Sequence, residues 1–332
     1  MLPLDTLHLH EIGLILLVQR LPEWFTPLML FFSALGTETL FLVLLPIIYW
    51  CINPRLGVRV GLILLVTAGI NAIGKLVTHA PRPYWIDARV KALSTETSFG
   101  MPSGHAQVSV AIWGVLAAAT RKPAAYLAAG LLVVLIGFSR VYLGVHFLSD
   151  VVIGLLLGIL TLWLVLRFEA PVVAWWQRRS FGAQVVNSFA ASGIVIGGAV
   201  LVTRLYRGWA LPTAWEHVTK VDAERLDTLV AMSGALFGLL VGATAMYRLG
   251  WFDAGGPLLQ RIGRWLLGSI GLGLIYYGLK QYLPHDASLA SNTLRYFGYA
   301  GLTLWVQLVA PLLFVRLRLA RRQVPEVLDA LA

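Results

Sequence analysis

Nine stretches of mainly apolar residues run through this sequence, near 37–52, 57–78, 103–120, 124–143, 147–167, 183–203, 226–247, 262–282 and 296–315. A helix needs roughly 20 such residues to cross a bilayer, so these stretches, the first of them short, read as transmembrane spans. No soluble domain can hide so much apolar surface: 58% of the chain is hydrophobic, 13% is charged, and the mean hydropathy is +0.77. The spans are rich in Leu, Ile, Val, Ala and Gly and lack the period-2 alternation of an outer-membrane barrel. Helices, which satisfy their own backbone groups in lipid, are what remains. The expectation is an all-α polytopic membrane bundle of about nine transmembrane helices, forming a single membrane domain over residues 1–332. Residues 7–21 read as a short, partly polar helix, and 24–36 as an apolar stretch that lies at the interface or begins the first span. The start, Met1-Leu2-Pro3-Leu4-Asp5, lacks a basic segment, so no processed leader is expected.

The net charge of +10 raises the question of nucleic acid. The 26 Lys and Arg residues are scattered among loops and form no basic tract with interleaved aromatics, so no nucleic-acid partner is expected. Their distribution reports orientation instead. Arg55, Arg59, Arg121, Lys122, Arg167, Arg178, Arg179, Arg248, Arg261, Arg264 and the run Arg316 to Arg322 fall on one side, largely in short loops. The opposite set sits mainly in two long loops, 79–102 and 204–225, where Lys220 and Arg225 lie and where Asp222 to Asp227 read as a solvated loop and helix start. The first side is expected to be cytoplasmic and to carry the C-terminus. The second is expected to face the periplasm of a bacterial inner membrane or, in a eukaryote, a lumen. Cys51 is the only cysteine and makes neither an internal disulfide nor a cysteine-based zinc site. His8 and His10 are too few for a convincing metal site.

Ionisable residues at membrane depth are costly and mark function by default. Three clusters stand out. Lys75, near the outer end of the second span, is followed by Arg82-Pro83. Lys75 reads either as a snorkelling helix end or, with Arg82, as half of a cationic pair for a phosphoryl group. Pro102-Ser103-Gly104-His105 stands where a loop turns into the third span. Ser103 there is first a cap, but a helix start also offers free N–H groups to an anion, and Gly104 lets the backbone come close. His105 is either structural or catalytic. The third cluster is Ser139-Arg140, His146 and Asp150. On a helix, His146 and Asp150 share a face, and an Asp on one imidazole nitrogen leaves the other free as nucleophile or base. Glu38 reads as a helix-start cap or as part of a substrate mouth.

In this order, Lys-x6-Arg-Pro, Pro-Ser-Gly-His and Ser-Arg-x5-His-x3-Asp resemble the three-part signature of the type 2 phosphatidic acid phosphatase superfamily at every signature position. The resemblance implies a phosphatidic-acid-phosphatase-like catalytic core over 57–167 and leaves the helices of 183–332 without an assigned role. It implies that His146 is the nucleophile, transiently a phosphohistidine, with Asp150 orienting it, and that His105 is the general acid and then base. Lys75, Arg82, Ser103, Gly104 and Arg140 become the phosphate cradle. The implied chemistry is metal-independent and needs no cofactor. Arg82-Pro83-Tyr84-Trp85, the span count and Met246-Tyr247-Arg248 look like the glucose-6-phosphatase branch, from which Asp150 departs toward the lipid-phosphate members.

The implied function is hydrolysis of a phosphomonoester or pyrophosphate of a membrane lipid on the non-cytoplasmic face, in an integral protein embedded in the bilayer. Phosphatidic acid, phosphatidylglycerol phosphate and polyprenyl pyrophosphate all fit. A sugar phosphatase and a lipid phosphotransferase keep the same residues, and an anion transporter is the reading from another class. Homo-oligomerisation is left open.

Overall fold

The structure, a computed structural model, describes residues 3–215, 226–284, 286 and 288–323. Lys220, Asp222 and Arg225 lie outside the described residues. The chain forms α1 (Pro3–Val18), α2 (Phe25–Ala34), α3 (Glu38–Ile47), α4 (Pro54–Thr78), α5 (Pro83–Ile86), α6 (Gly104–Thr120) and α7 (Pro123–Tyr142). It continues with α8 (Leu148–Gln177), α9 (Phe181–Leu205), α10 (Asp227–Leu249), α11 (Leu258–Tyr282), α12 (Leu289–Leu304) and α13 (Ala310–Arg316). π-helical segments at Ile48–Ile52 and Trp305–Val309 extend α3 and α12. Among the described residues, extended pairing is limited to an isolated bridge between Phe252 and Arg322.

The all-α membrane architecture expected from the apolar spans is present. Among the described residues seven helices are long and apolar enough to cross a bilayer, and eight if the bent pair Phe25–Ala34 and Glu38–Ile52 counts as one. The figure of about nine is approximate for two reasons. The expected first span is one limb of that pair, which bends by 54°, and the third is the 17-residue α6.

The chain divides into two compact units. The first comprises Met1–Leu40, Thr67–Glu169 and Gly197–Arg225. Within it α1, α2 and α6 all pack on α7. Helix boundaries follow local chemistry. Pro123 opens α7, where its missing N–H costs nothing, and Arg121 closes α6 in the left-handed region at φ 56°. The approach of α8 to α6 depends on two glycines one turn apart. A Cβ on Gly154 would lie 2.5 Å from the Ser103 carbonyl oxygen, and one on Gly158 would lie 2.6 Å from that of Gln107. Small residues at this spacing let helix backbones meet closely, and here they bring the start of α8 to the start of α6.

The second unit comprises Phe41–Val66, Ala170–Ile196 and Leu226–Ala332. Gly234 and Gly238 of α10 play the same part against α12, where a Cβ would run into the carbonyl oxygens of Tyr296 and Ala300. The Tyr49 hydroxyl donates to the Gln307 carbonyl at 2.7 Å, and Trp50 Nε1 to the Val306 carbonyl at 3.0 Å. Both acceptors belong to the π-helical Trp305–Val309, where the ordinary helical ladder is interrupted.

Candidate active site

The last turns of α4 begin the site. Asn71 and Lys75 are four residues apart, and both line a cavity of about 520 Å³ in the first unit. Lys75 Nζ donates to Ser98 Oγ at 2.7 Å. Asn71 Nδ2 donates to the Pro102 carbonyl at 3.1 Å and to Gln107 Oε1 at 2.9 Å, tying α4 to the start of α6. A Cβ on Gly104 would sit 3.1 Å from Asn71 Oδ1, so glycine keeps this approach open.

Arg82 is completely buried. Its Nε donates to the Ser98 carbonyl at 2.7 Å, and its Nη2 to Ser98 Oγ at 3.1 Å and the Phe99 carbonyl at 3.1 Å. Its Nη1 donates to the Val145 carbonyl at 2.8 Å and lies 3.3 Å from His146 Nε2. The cation is thus held by neutral carbonyls that do not cancel its charge.

Arg140, in the last turn of α7, is equally buried. Nη1 donates to Ser33 Oγ of α2 at 2.6 Å, while Nη2 pairs with Glu96 Oε1. Its Nε is buried and has no hydrogen-bond partner. Burial alone would raise the Glu96 carboxyl, but Arg82 and then Arg140 outweigh it and hold the group below its ordinary value of 4.5. It is therefore a carboxylate.

His146 occupies the turn between α7 and α8, two residues before the helix that carries Asp150. The shared helix face expected from their spacing is therefore not what joins them. Asp150, in the first turn of α8, reaches back: Oδ2 lies 3.2 Å from His146 Nδ1 and accepts the Phe147 N–H at 3.0 Å. This is cap chemistry performed from inside the helix. With Nδ1 on the carboxylate, Nε2 keeps a lone pair toward Arg82. Burial, followed by the charge of Arg82, drives the His146 ring well below its usual 6.5, so it is neutral.

Ser103 is the N-cap residue of α6, but its side chain makes no cap hydrogen bond. The hydroxyl is buried without a partner, and the backbone N–H donates to the Asp150 carbonyl at 3.0 Å. His105 and Gly104 line the same cavity as Lys75, Arg82, Arg140 and His146. All eight residues singled out from the sequence lie in this unit, and six line the cavity; Ser103 and Asp150 stand behind it. Glu38 lines it as well, while the Leu40 N–H is taken by Thr37 Oγ1 at 3.1 Å, so Thr37 supplies the cap. Sequence reasoning missed Ser33, Asn71, Glu96 and Ser98. Only Asn71 carried a signal, its i−4 spacing from Lys75. Among the described residues no group of three or more His, Cys, Asp or Glu is placed to hold a metal ion.

A polytopic helical membrane protein with a cavity lined by Lys75, two arginines and two histidines is the class this geometry defines. The PAP2 superfamily model matches residues 56–174, and that for the PAP2 superfamily phosphatase transmembrane extension matches 230–322. Residues 56–174 thus carry a PAP2 superfamily domain, and residues 230–322 the PAP2 transmembrane extension. The chain is 34% identical over 131 residues to phosphatidylglycerophosphatase B of Bacillus subtilis, covering 36% of this chain and 62% of that protein, somewhat under two thirds of its length. It is 25% identical over 333 residues to human glucose-6-phosphatase 3, covering 89% and 90% of the two chains. It is 31% identical over 291 residues to lipid phosphate phosphatase delta of Arabidopsis thaliana, covering 80% and 65%. The crystal structure of a transmembrane PAP2-type phosphatidylglycerolphosphate phosphatase from Bacillus subtilis overlays 52% of this chain and 89% of that one, at TM-score 0.45 and 26% identity.

Proposed function

We propose that this chain is an integral membrane phosphatase that hydrolyses a phosphomonoester or pyrophosphate of a lipid. The observation that carries the reading is the meeting of Lys75, Arg82, His105, Arg140 and His146 around one cavity. A transition state whose negative charge is spread over three equatorial oxygens needs fixed positive charge. Two guanidiniums and an ammonium supply it. The buried, unpartnered Ser103 hydroxyl and Arg140 Nε are donors that an anion would complete.

In the proposed reaction His146 Nε2 attacks phosphorus as the bond to the leaving oxygen breaks. His105, whose pKa burial and then Arg140 push down to about 3, is protonated once the substrate's negative charge offsets that of Arg140, and it gives the leaving oxygen its proton. Asp150 keeps the proton of His146 on Nδ1 and stabilises the charge that builds on the ring. His105, now neutral, takes a proton from water. That water displaces His146 from the phosphohistidine, releasing inorganic phosphate. The proposed chemistry calls on no metal ion and no cofactor. The active site is assigned to the non-cytoplasmic face, with the C-terminus cytoplasmic, from the placement of basic residues in short loops.

Phosphatidic acid, phosphatidylglycerol phosphate and polyprenyl pyrophosphate are the proposed substrates. Kinship with phosphatidylglycerophosphatase B and lipid phosphate phosphatase delta supports them. A sugar phosphate is the second reading, favoured by the near full-length match to glucose-6-phosphatase 3. The deciding assay gives detergent-purified protein each lipid phosphate and glucose 6-phosphate in parallel. Phosphate release confined to lipids supports the first reading, and release from glucose 6-phosphate alone replaces it with the second. Release from none of them, by protein that binds vanadate, moves the reading to a phosphotransferase that needs an acceptor.

A further inference from the structure

We propose that α1 is a positioning strap for the His146–Asp150 pair, with Glu11 as its principal residue. The helix lies outside the 56–174 family match. The inference rests on the phosphatase reading above, but its geometry stands apart from it.

The turn Leu143–Phe147 carries His146 between α7 and α8, and α1 with the residue after it grips both ends. At the far end Glu11 Oε1 accepts the Ser149 N–H at 3.0 Å, and Oε2 accepts the Ser149 hydroxyl at 2.8 Å. The first N–H groups of a helix have no partner within it, and a carboxylate there is favoured by both hydrogen bonding and the dipole. Glu11 fills that role for α8 across 138 residues of sequence. Asp150, which might itself have served the helix start in this way, takes only the Phe147 N–H and keeps its Oδ2 directed at His146.

At the near end Gln19 Nε2 donates to the Tyr142 carbonyl at 3.0 Å and to the Lys91 carbonyl at 2.8 Å, while its Oε1 accepts the Lys91 N–H at 3.0 Å. Gly144 sits at φ +73°, where a Cβ would fall 2.5 Å from the Lys91 carbonyl oxygen and 2.8 Å from Gln19 Nε2. Only glycine allows this closeness. Between the two grips the His8 ring stacks on Phe147, centroids 4.1 Å apart and planes within 7°. Ile12 and Ile15 pack with Val141, Phe147 and Val151 in one apolar cluster. The nucleophile's turn is thus bracketed by side chains of α1 and by Gln19 just after it, none of which lines the cavity.

A strap that orients the nucleophile without binding phosphate should move kcat and leave anion affinity alone. Full-length protein in detergent is compared as wild type, Glu11→Ala, Glu11→Gln and Ser149→Ala. The readouts are kcat, KM, the vanadate inhibition constant and hydrogen exchange of peptides spanning 143–152. Glu11→Ala is expected to lower kcat on the order of 10- to 100-fold, with KM and the vanadate constant within about twofold and faster exchange in that peptide. Glu11→Gln keeps the length and one acceptor and should recover most of the rate. Unchanged kcat in Glu11→Ala overturns the proposal. So does a parallel loss of vanadate affinity with no recovery in Glu11→Gln, which marks general unfolding. If the wild type releases no phosphate from any substrate, the phosphatase reading falls, and the exchange arm still decides the strap: unchanged exchange in Glu11→Ala overturns it.

Discussion

His146 Nδ1 lies 3.2 Å from Asp150 Oδ2 although the two residues stand on opposite sides of a helix boundary. The same carboxylate oxygen accepts the Phe147 N–H, so the orientation of the imidazole and the start of α8 are set by one atom. Asp150→Asn keeps an acceptor for that N–H but can offer Nδ1 an amide donor instead, which favours the wrong tautomer. We expect kcat to fall by at least about 100-fold with KM little changed, the loss being smaller than for His146→Ala. Steady-state kinetics on the best lipid substrate check this, and a KM effect without a kcat effect would contradict it.

The neutral His146 ring makes stability pH-dependent. Burial and Arg82 hold its folded value well below 6.5. The unfolded chain takes up this proton near the ordinary value while the native state does not. The group's contribution is therefore lost as pH falls below about 6.5. Thermal melts in detergent should show Tm dropping between about pH 7.5 and about pH 5, with a shallower drop in His146→Gln. Identical slopes in the two proteins would contradict it.

Arg140 divides its guanidinium between Ser33, Glu96 and an unpartnered Nε. A lysine can supply the charge but not the fork. Arg140→Lys is expected to lower kcat/KM by about 10-fold or more and to weaken vanadate inhibition in parallel. Chelators should leave the wild-type rate unchanged. Vanadate inhibition equal in the two proteins, or loss of activity in chelator restored by a divalent metal, would contradict this account of the cradle.

The meeting of α6 and α8 has its own test. A valine at Gly154 places atoms against the Ser103 carbonyl, where even a Cβ would be 2.5 Å away. Overpacking of this kind costs about 1–3 kcal/mol, and here it also pushes Asp150 away from the start of α6. Gly154→Val should lower Tm and activity together. Gly130→Ala, with nothing within 4 Å of the new methyl, should lower neither.

The membrane spans and the three motifs were legible because each is local: length and apolarity define a span, and spacing defines a motif. The separation of His146 and Asp150 pairs them, but not through a helix face, since His146 stands in the turn two residues before α8 begins and Asp150 reaches back to it. Glu96, Ser98, Glu11 and Gln19 were invisible for a different reason. Glu96 meets Arg140 across 44 residues, and Gln19 meets Tyr142 across 123. No periodicity reports such contacts, and a lone Glu in a polar loop or a short helix looks like any solvated side chain. Asn71 was within reach, one turn before Lys75, but polar residues in a span draw notice mainly when they are charged.

The most direct test of the central claim is trapping by rapid quench in alkaline SDS, with lipid substrate labelled at the terminal phosphate, on wild-type, His105→Ala and His146→Ala protein. The account predicts acid-labile, alkali-stable label on the wild-type chain, more of it in His105→Ala if the second step is slowed more than the first, and none in His146→Ala, which also releases no phosphate. Label or turnover retained in His146→Ala would contradict the assignment of His146 as the nucleophile.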